Sequence, residues 1–433
     1  LKEGVLMNDS MALNLHGKNW LLLDGATGTQ LHQYGLPAGI SPERWVLDHP
    51  DILIQIQLAY LEAGSNILLA FTFGANRIKL SRSLSSGESA TGVNKMLASI
   101  SVRVKEAWLS EHPDDVILVA GELAPTGQFL EPAGTLSFDD LVEIYQEQVR
   151  GQLEAGVDLF VAETMMDLAQ TRAAVIAVQS ECSLPIITSL TLEQNGRTLG
   201  GQRPEECLLT LSSMGVSAFG LNCSAGPEQL SDWIIPLAAW SPVPLLIKPN
   251  AGLPRLIDGR TVFPMNPADF AEAMKPAISA GLSLFGGCCG TEPGHIAHLR
   301  DVLDQCWGEQ IEKTLPHQNR DQWIASSRQS LIIDKTNTYS VIPADPDSLL
   351  DRCLDEMDTS ADALIIDFDE AHCDKTGLYS GLLEEIQLMV PLPLIFRCHD
   401  ESLLAEILKH YHGRAGVETS LNNIPYGALR VSC

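Results

Sequence analysis

From Trp20 onward, short apolar runs alternate with longer stretches whose apolar positions recur at helical spacing. Trp20–Leu23 reads as a buried strand, Asp51–Ala63 as a helix and Asn66–Phe71 as a second strand. A helix over Asn94–Ser110 precedes a strand at Val116–Ala120, and a helix over Leu141–Ala155 precedes one at Asp158–Ala162. Strands follow at Leu184–Leu190, Ser217–Leu221, Pro244–Lys248 and Leu282–Phe285, with helical stretches between them, and the helix Pro293–Gln305 closes the series. Eight strands alternating with helices predict an α/β fold of the (β/α)8 TIM-barrel type. The competing doubly wound sheet needs a glycine-rich phosphate loop after its first strand, and Asp24-Gly25-Ala26-Thr27-Gly28 lacks that spacing.

Residues 307–329 are polar, contain Pro316 and read as a linker without a strand. A second alternation follows, with strands at Ser330–Asp334, Ala363–Asp367, Leu392–Arg397 and Ala415–Thr419. The helices between them are expected at Asp347–Met357, Leu382–Met389 and Glu401–Tyr411. Four such units make a smaller, half-barrel-like α/β domain with open sheet edges. The expected organisation is therefore an N-terminal extension (1–19), the barrel (20–306), the linker (307–329) and the second domain (330–433). The open side of the second domain is expected to pack on the barrel or to pair with another copy in a homodimer.

Composition narrows the partners. The 433 residues suit two domains, and 45 % hydrophobic residues supply two cores without any run long enough to span a membrane. With 28 basic against 55 acidic residues, a net charge of −27 and no basic stripe, neither nucleic acid nor an anionic membrane surface is expected to bind. Leu1–Trp20 carries no secretory pattern, and Met7 or Met11 is the expected native start. Ten cysteines without scaffold spacing point to the cytoplasm, where thiols stay reduced.

Seven of those cysteines (Cys182, Cys207, Cys306, Cys353, Cys373, Cys398 and Cys433) read as small buried hydrophobes. Gly286-Gly287-Cys288-Cys289-Gly290 is different, because adjacent cysteines crowd one core and flanking glycines let the backbone approach a bound group. Together with Cys223 they offer three thiolates, a set that binds Zn²⁺ and leaves one tetrahedral position open. On a barrel, Asp24, Glu163, Cys223, Asn250, Cys288 and Cys289 all follow strand ends and converge at one mouth, where barrel active sites are built.

The motifs that carry a resemblance are Asp24–Leu31, Thr72–Arg77, Ala162–Met165, Gly220–Ser224, Pro249–Pro254 and Gly286–Gly290, in this order. They resemble the homocysteine-binding domain of the homocysteine S-methyltransferase family, which includes cobalamin-dependent methionine synthase. The resemblance implies a zinc-dependent S-methyltransferase that makes methionine from homocysteine, with Cys223, Cys288 and Cys289 as metal ligands and the acceptor sulfur in the open position. It also implies that Asp24 and Glu163 hold the ammonium group, and that backbone amides from Gly25, Ala26 and Thr27 hold the carboxylate. Asn250 is expected to lend its carbonyl to the metal before the acceptor arrives. The methyl donor is open between a methylcorrinoid on a separate protein and a small molecule such as S-methylmethionine or betaine.

More faintly, Leu331–Asn337, Ala361–Asp367 and Pro391–Arg397 resemble the start of the pterin-binding barrel of the same enzymes. Asp334-Lys335-Thr336-Asn337 and Arg397-Cys398 depart from that pattern, and four strand ends cannot build its pocket, so folate binding is not expected. Two further readings stand beside the enzyme: a non-catalytic zinc- or thiol-binding scaffold subunit of a methyl-transfer complex, and a structural zinc protein with four filled positions.

Overall fold

A computed structural model of the chain describes residues 13, 15, 17–81, 83, 87–257, 260–308, 320–369 and 377–432. Its first architecture is the barrel, built from β1 (Leu21–Leu22), β2 (Ile67–Leu69), β3 (Leu118–Leu123), β4 (Leu159–Met165), β5 (Ile186–Leu190), β6 (Ala218–Asn222), β7 (Leu245–Lys248) and β8 (Leu284–Phe285). All pairs are parallel, in the order β1-β8-β7-β6-β5-β4-β3-β2. The ring closes between the ends of that series, where Leu23 bridges Ile67 and the Asn66 N–H donates to the Leu22 carbonyl at 2.6 Å.

Period-two alternation decides what fills the ring. Leu21, Leu23, Ile67, Leu69, Ala120, Leu159, Val161, Ile187, Ala218, Leu246 and Leu284 form a separate interior cluster. Their neighbours in sequence, such as Leu22, Leu68, Val119, Phe160 and Leu245, belong to the larger core under the surrounding helices. Leu13 and Leu15 pack against the interior cluster. The same alternation assigns Glu122, Glu163, Asn222 and Lys248 to the interior face, at the positions following Ala120, Val161, Gly220 and Leu246 by two. The top layer of the barrel interior is therefore polar.

The second architecture is a five-stranded parallel sheet of β9 (Tyr339–Pro343), β10 (Ala363–Asp367), β11 (Leu394–Arg397), β12 (Gly416–Glu418) and β13 (Leu429–Arg430), paired in chain order. The region expected as a strand-free linker contains the strand Trp323–Ala325, antiparallel to Ser330–Ile332. Ser330–Asp334 is accordingly one arm of a hairpin and not the first parallel strand. That place belongs to β9, which ends in Pro343 and which the sequence reading did not contain. A proline without an N–H suits an edge strand, and β9 is the edge of its sheet. Arg320 lies between the rings of Trp240 and Trp323, 4.1 and 4.7 Å from their centres, and ties the hairpin to the barrel.

The second domain meets the barrel through a helix and through the segment that leads into its edge strand β13, where Tyr426 packs against the barrel core and Gly427 lies against Ser213. The fully buried Arg172 guanidinium donates to the Leu408 and Lys409 carbonyls at 2.9 and 3.0 Å, capping the helix Glu401–His410, and Lys409 pairs with Asp139. Cys207, Cys353 and Cys398 are buried as expected, whereas Cys182 and Cys306 are half-buried. Met7, Met11, Pro316, Cys373 and Cys433 lie outside the described residues. Among the described residues no helix is long and apolar enough to cross a membrane.

Candidate active site

Parallel strands in a closed ring put all their C-terminal ends on one face. Asp24 follows β1, Cys223 follows β6, Asn250 lies two residues past β7, and Cys288 and Cys289 follow β8. Glu163 differs from expectation by lying inside the last turn of alternation of β4 and not beyond it. The Cys223, Cys288 and Cys289 sulfurs lie within 4.8 Å of one another, and the Cys223 and Cys289 sulfurs are 3.9 Å apart.

Local backbone shape brings the thiols together. Cys223 and Ser224 adopt left-handed φ of 61° and 52°, uncommon for residues with a Cβ, so the chain turns sharply as it leaves β6. The Cys288 N–H donates to the Pro249 carbonyl at 2.8 Å and the Ala251 N–H to the Cys289 carbonyl at 3.0 Å, which locks the loops after β7 and β8 together. Gly290 has φ 80°, and a Cβ there would come within 2.2 Å of the Phe263 ring. Phe263 follows an antiparallel pair, Arg255–Ile257 with Arg260–Val262, that the sequence reading did not contain.

The electrostatics of three close thiols favour a cation. Contacts with the Cys288 and Cys289 thiols hold Cys223 down to about 3, while the Cys223 thiol pushes Cys288 up to about 11. Cys289 is pushed up as well by its two thiol neighbours. One sulfur thus ionises at the expense of the others, and a divalent ion is what lets all three lose their protons. The buried Asn250 side chain contacts Cys223 and leaves its carbonyl oxygen without a partner. Three sulfurs and an unpartnered carbonyl fit a metal ion.

Below the thiols lies the polar top layer. Asn222 accepts from the Thr164 N–H at 2.9 Å and from Ser189 Oγ at 2.7 Å, and its amide donates to Thr164 Oγ1 at 2.8 Å and reaches Cys288 Sγ at 3.8 Å. Lys248 Nζ lies 2.5 Å from Glu163 Oε2, both groups being buried. Burial raises Asp24 from 3.8 to about 7 and raises Glu122 and Glu163 too, while Lys248 lowers each of the three. Asp24 Oδ2 accepts from the Leu69 N–H at 2.9 Å, and its Oδ1 is buried without a partner. Of the amides expected to hold a carboxylate, Ala26 donates to Thr291 Oγ1 at 3.2 Å and Thr27 to the Gly25 carbonyl at 3.0 Å.

Glu122, Asn222 and Lys248 were missed in the sequence. Their signal was present, since each is a polar residue in register with interior apolar residues near the end of a strand.

Residues 21–303 match the sequence profile of the family described as homocysteine S-methyltransferase. Methionine synthase of Mycobacterium leprae is 27 % identical over 427 residues, covering 92 % of this chain and 35 % of its own length. That of Mycobacterium tuberculosis is 27 % identical over 435 residues, covering 95 % and 36 %. The chain thus spans about a third of the length of these relatives, and the match continues beyond the barrel into the second domain. Among solved structures, the metallated homocysteine methyltransferase MmuM from Escherichia coli is similar, with a TM-score of 0.57, 24 % identity and coverage of 66 % of this chain and 97 % of that one. The apo form of the same protein gives a TM-score of 0.53 at 23 % identity. These two likenesses show the fold. The profile covers well over half of the sequence and includes all three clustered cysteines, so the chain belongs to the homocysteine S-methyltransferase family.

Proposed function

We propose that this protein is a zinc-dependent S-methyltransferase that transfers a methyl group to the thiol of homocysteine to give methionine. The observation that carries the reading is the meeting of Cys223, Cys288 and Cys289 within 4.8 Å at the mouth of the barrel. Zn²⁺ held by these three sulfurs would supply the positive charge that lets an acceptor thiol lose its proton and attack as a thiolate. The chain's own groups orient the acceptor. Asp24, with an unpartnered buried oxygen, and Glu163 receive its ammonium group. The segment Gly25–Thr27 faces its carboxylate, with Ala26 and Thr27 exchanging their present partners for it. Asn250 covers the remaining side of the thiol cluster until the acceptor arrives.

The donor is either a methylcorrinoid on a separate protein or a small molecule such as S-methylmethionine or betaine. The expected setting is the cytoplasm. Zinc-loaded protein should form methionine from L-homocysteine with at least one of methylcobalamin, S-methylmethionine and betaine, and Cys288→Ala should not. Stoichiometric zinc with no methionine from any of the three would contradict the reading.

A further inference from the structure

The pair formed by Lys248 and Glu163 is not accounted for by the roles assigned so far. Three carboxyl groups, Asp24, Glu122 and Glu163, are 0 %, 4 % and 5 % exposed, and Lys248 at 1 % is the cation set among them. A buried carboxylate without a partner is costly, so groups placed like this need a fixed counter-charge. Lys248 reaches it from the end of β7, across the ring from β4, and bonds Glu163 Oε2 at 2.5 Å. Glu163 also contacts the Glu122 carboxyl, so its orientation is set from both neighbours. The stem of Lys248 passes over Gly286, where an added Cβ would lie 3.0 Å from Lys248 Cγ and 3.0 Å from Leu23 Cβ. Gly286, two residues before the paired cysteines, therefore makes room for this side chain.

Charge counting then divides the labour. With Lys248 matched to Glu163, the buried carboxyl that lacks a partner is Asp24, through its Oδ1. An acceptor bearing an ammonium group brings the second cation. Burial and the Glu163 charge push Glu122 well above the usual carboxylate range, so it stays protonated and the two carboxylates Asp24 and Glu163 face two cations. We propose that Lys248 is a positioning residue of the acceptor site, holding the Glu163 carboxylate in place so that it and Asp24 together receive the ammonium group of an amino-acid thiol. This rests on the reading of the site as a homocysteine site and sharpens it, because the acceptor class becomes thiols that carry an α-amino group.

The test is calorimetric binding to the zinc-loaded full chain, with L-homocysteine and its analogue without the amino group, 4-mercaptobutyrate, as probes. Wild-type protein should prefer homocysteine; equal affinity would overturn the homocysteine reading itself. Lys248→Met should weaken homocysteine about tenfold or more and leave 4-mercaptobutyrate within about threefold, since a bond to a charged group is lost only for the amino-bearing probe. The variant Glu163→Gln should weaken homocysteine too, and adding Lys248→Met to it should cost little more, because the lysine acts through Glu163. The conservative Lys248→Arg should restore the preference for homocysteine. If wild type prefers homocysteine but Lys248→Met weakens both probes equally or neither, or weakens homocysteine as much in the Glu163→Gln background as alone, Lys248 has no positioning role. Zinc content and the thermal midpoint, measured on each variant, separate these outcomes from a folding defect. Should Lys248→Met not fold, the Glu163→Gln/Lys248→Met double variant, in which the pair is removed together, supplies the comparison with Glu163→Gln.

Discussion

Two kinds of polar residue meet at the mouth of this barrel, half-buried thiols that crowd one another and buried carboxyls that outnumber their cation. The thiols give the sharper prediction. Removing one sulfur from a three-sulfur site leaves too few ligands for a tightly held ion, so Cys223→Ala and Cys288→Ala should each lose bound zinc, read by metal analysis after dialysis. One zinc per chain retained by either variant would remove that cysteine from the ligand set. The carboxyls give a dependence on pH. Burial raises Asp24 from 3.8 to about 7, so the folded chain binds this proton more tightly than the unfolded chain. The contribution favours folding below about pH 4 and is lost as the pH rises through about 7. Asp24→Asn removes it, and the acceptor-free variant should gain stability over wild type on the order of 1–3 kcal/mol more at about pH 8 than at about pH 5. An equal gap at both values would mean that Asp24 is compensated in the folded chain. At this scale the cysteines were legible because a Cys-Cys pair between glycines has few other uses. Lys248 and Glu122 carried a weaker signal, their register with interior apolar residues, which is easily read as the ordinary charged end of an apolar run until the neighbours in the ring are known.

At the scale of elements, the barrel strands were placed within a few residues because both faces of a parallel sheet are covered and its strands are nearly all apolar. The misses share a cause. Trp323–Ala325 is a short strand set in polar surroundings, and β9 alternates and ends in proline. Neither signals a buried strand by itself, and both depend on a partner elsewhere in the chain. The helix Glu401–His410 makes the junction testable, since its last carbonyls are capped by Arg172 from the barrel helix Leu168–Glu181. Arg172→Ala should destabilise the second domain by about 2–4 kcal/mol, because buried carbonyls lose two charged donors. Faster amide exchange in residues 401–410 would report it, and unchanged exchange there would show that the cap contributes nothing. A similar dependence runs through Gly290. Its Ala variant would press on Phe263 and tilt the loop that carries Cys289, so zinc affinity should fall about tenfold or more while the barrel stays folded.

For the molecule as a whole, the barrel and the meeting of its three cysteines were readable from strand order and strand ends, whereas the second sheet was readable as a fold and not as a purpose. Its parallel strands pair in chain order and its helix docks on the barrel, leaving β9 and β13 as edges. Pairing of two copies along such an edge is the expected dimer contact; a single monomeric species in sedimentation at micromolar concentration would exclude it. The account as a whole rests on the three sulfurs acting as an open metal site. Zinc-edge X-ray absorption on the purified protein, with and without L-homocysteine, addresses that directly. We expect three sulfur neighbours and one lighter atom at rest, changing to four sulfurs when homocysteine is added. A spectrum with four filled positions that does not respond to the thiol would make the metal structural and contradict the assignment of a methyl-accepting thiol to this site.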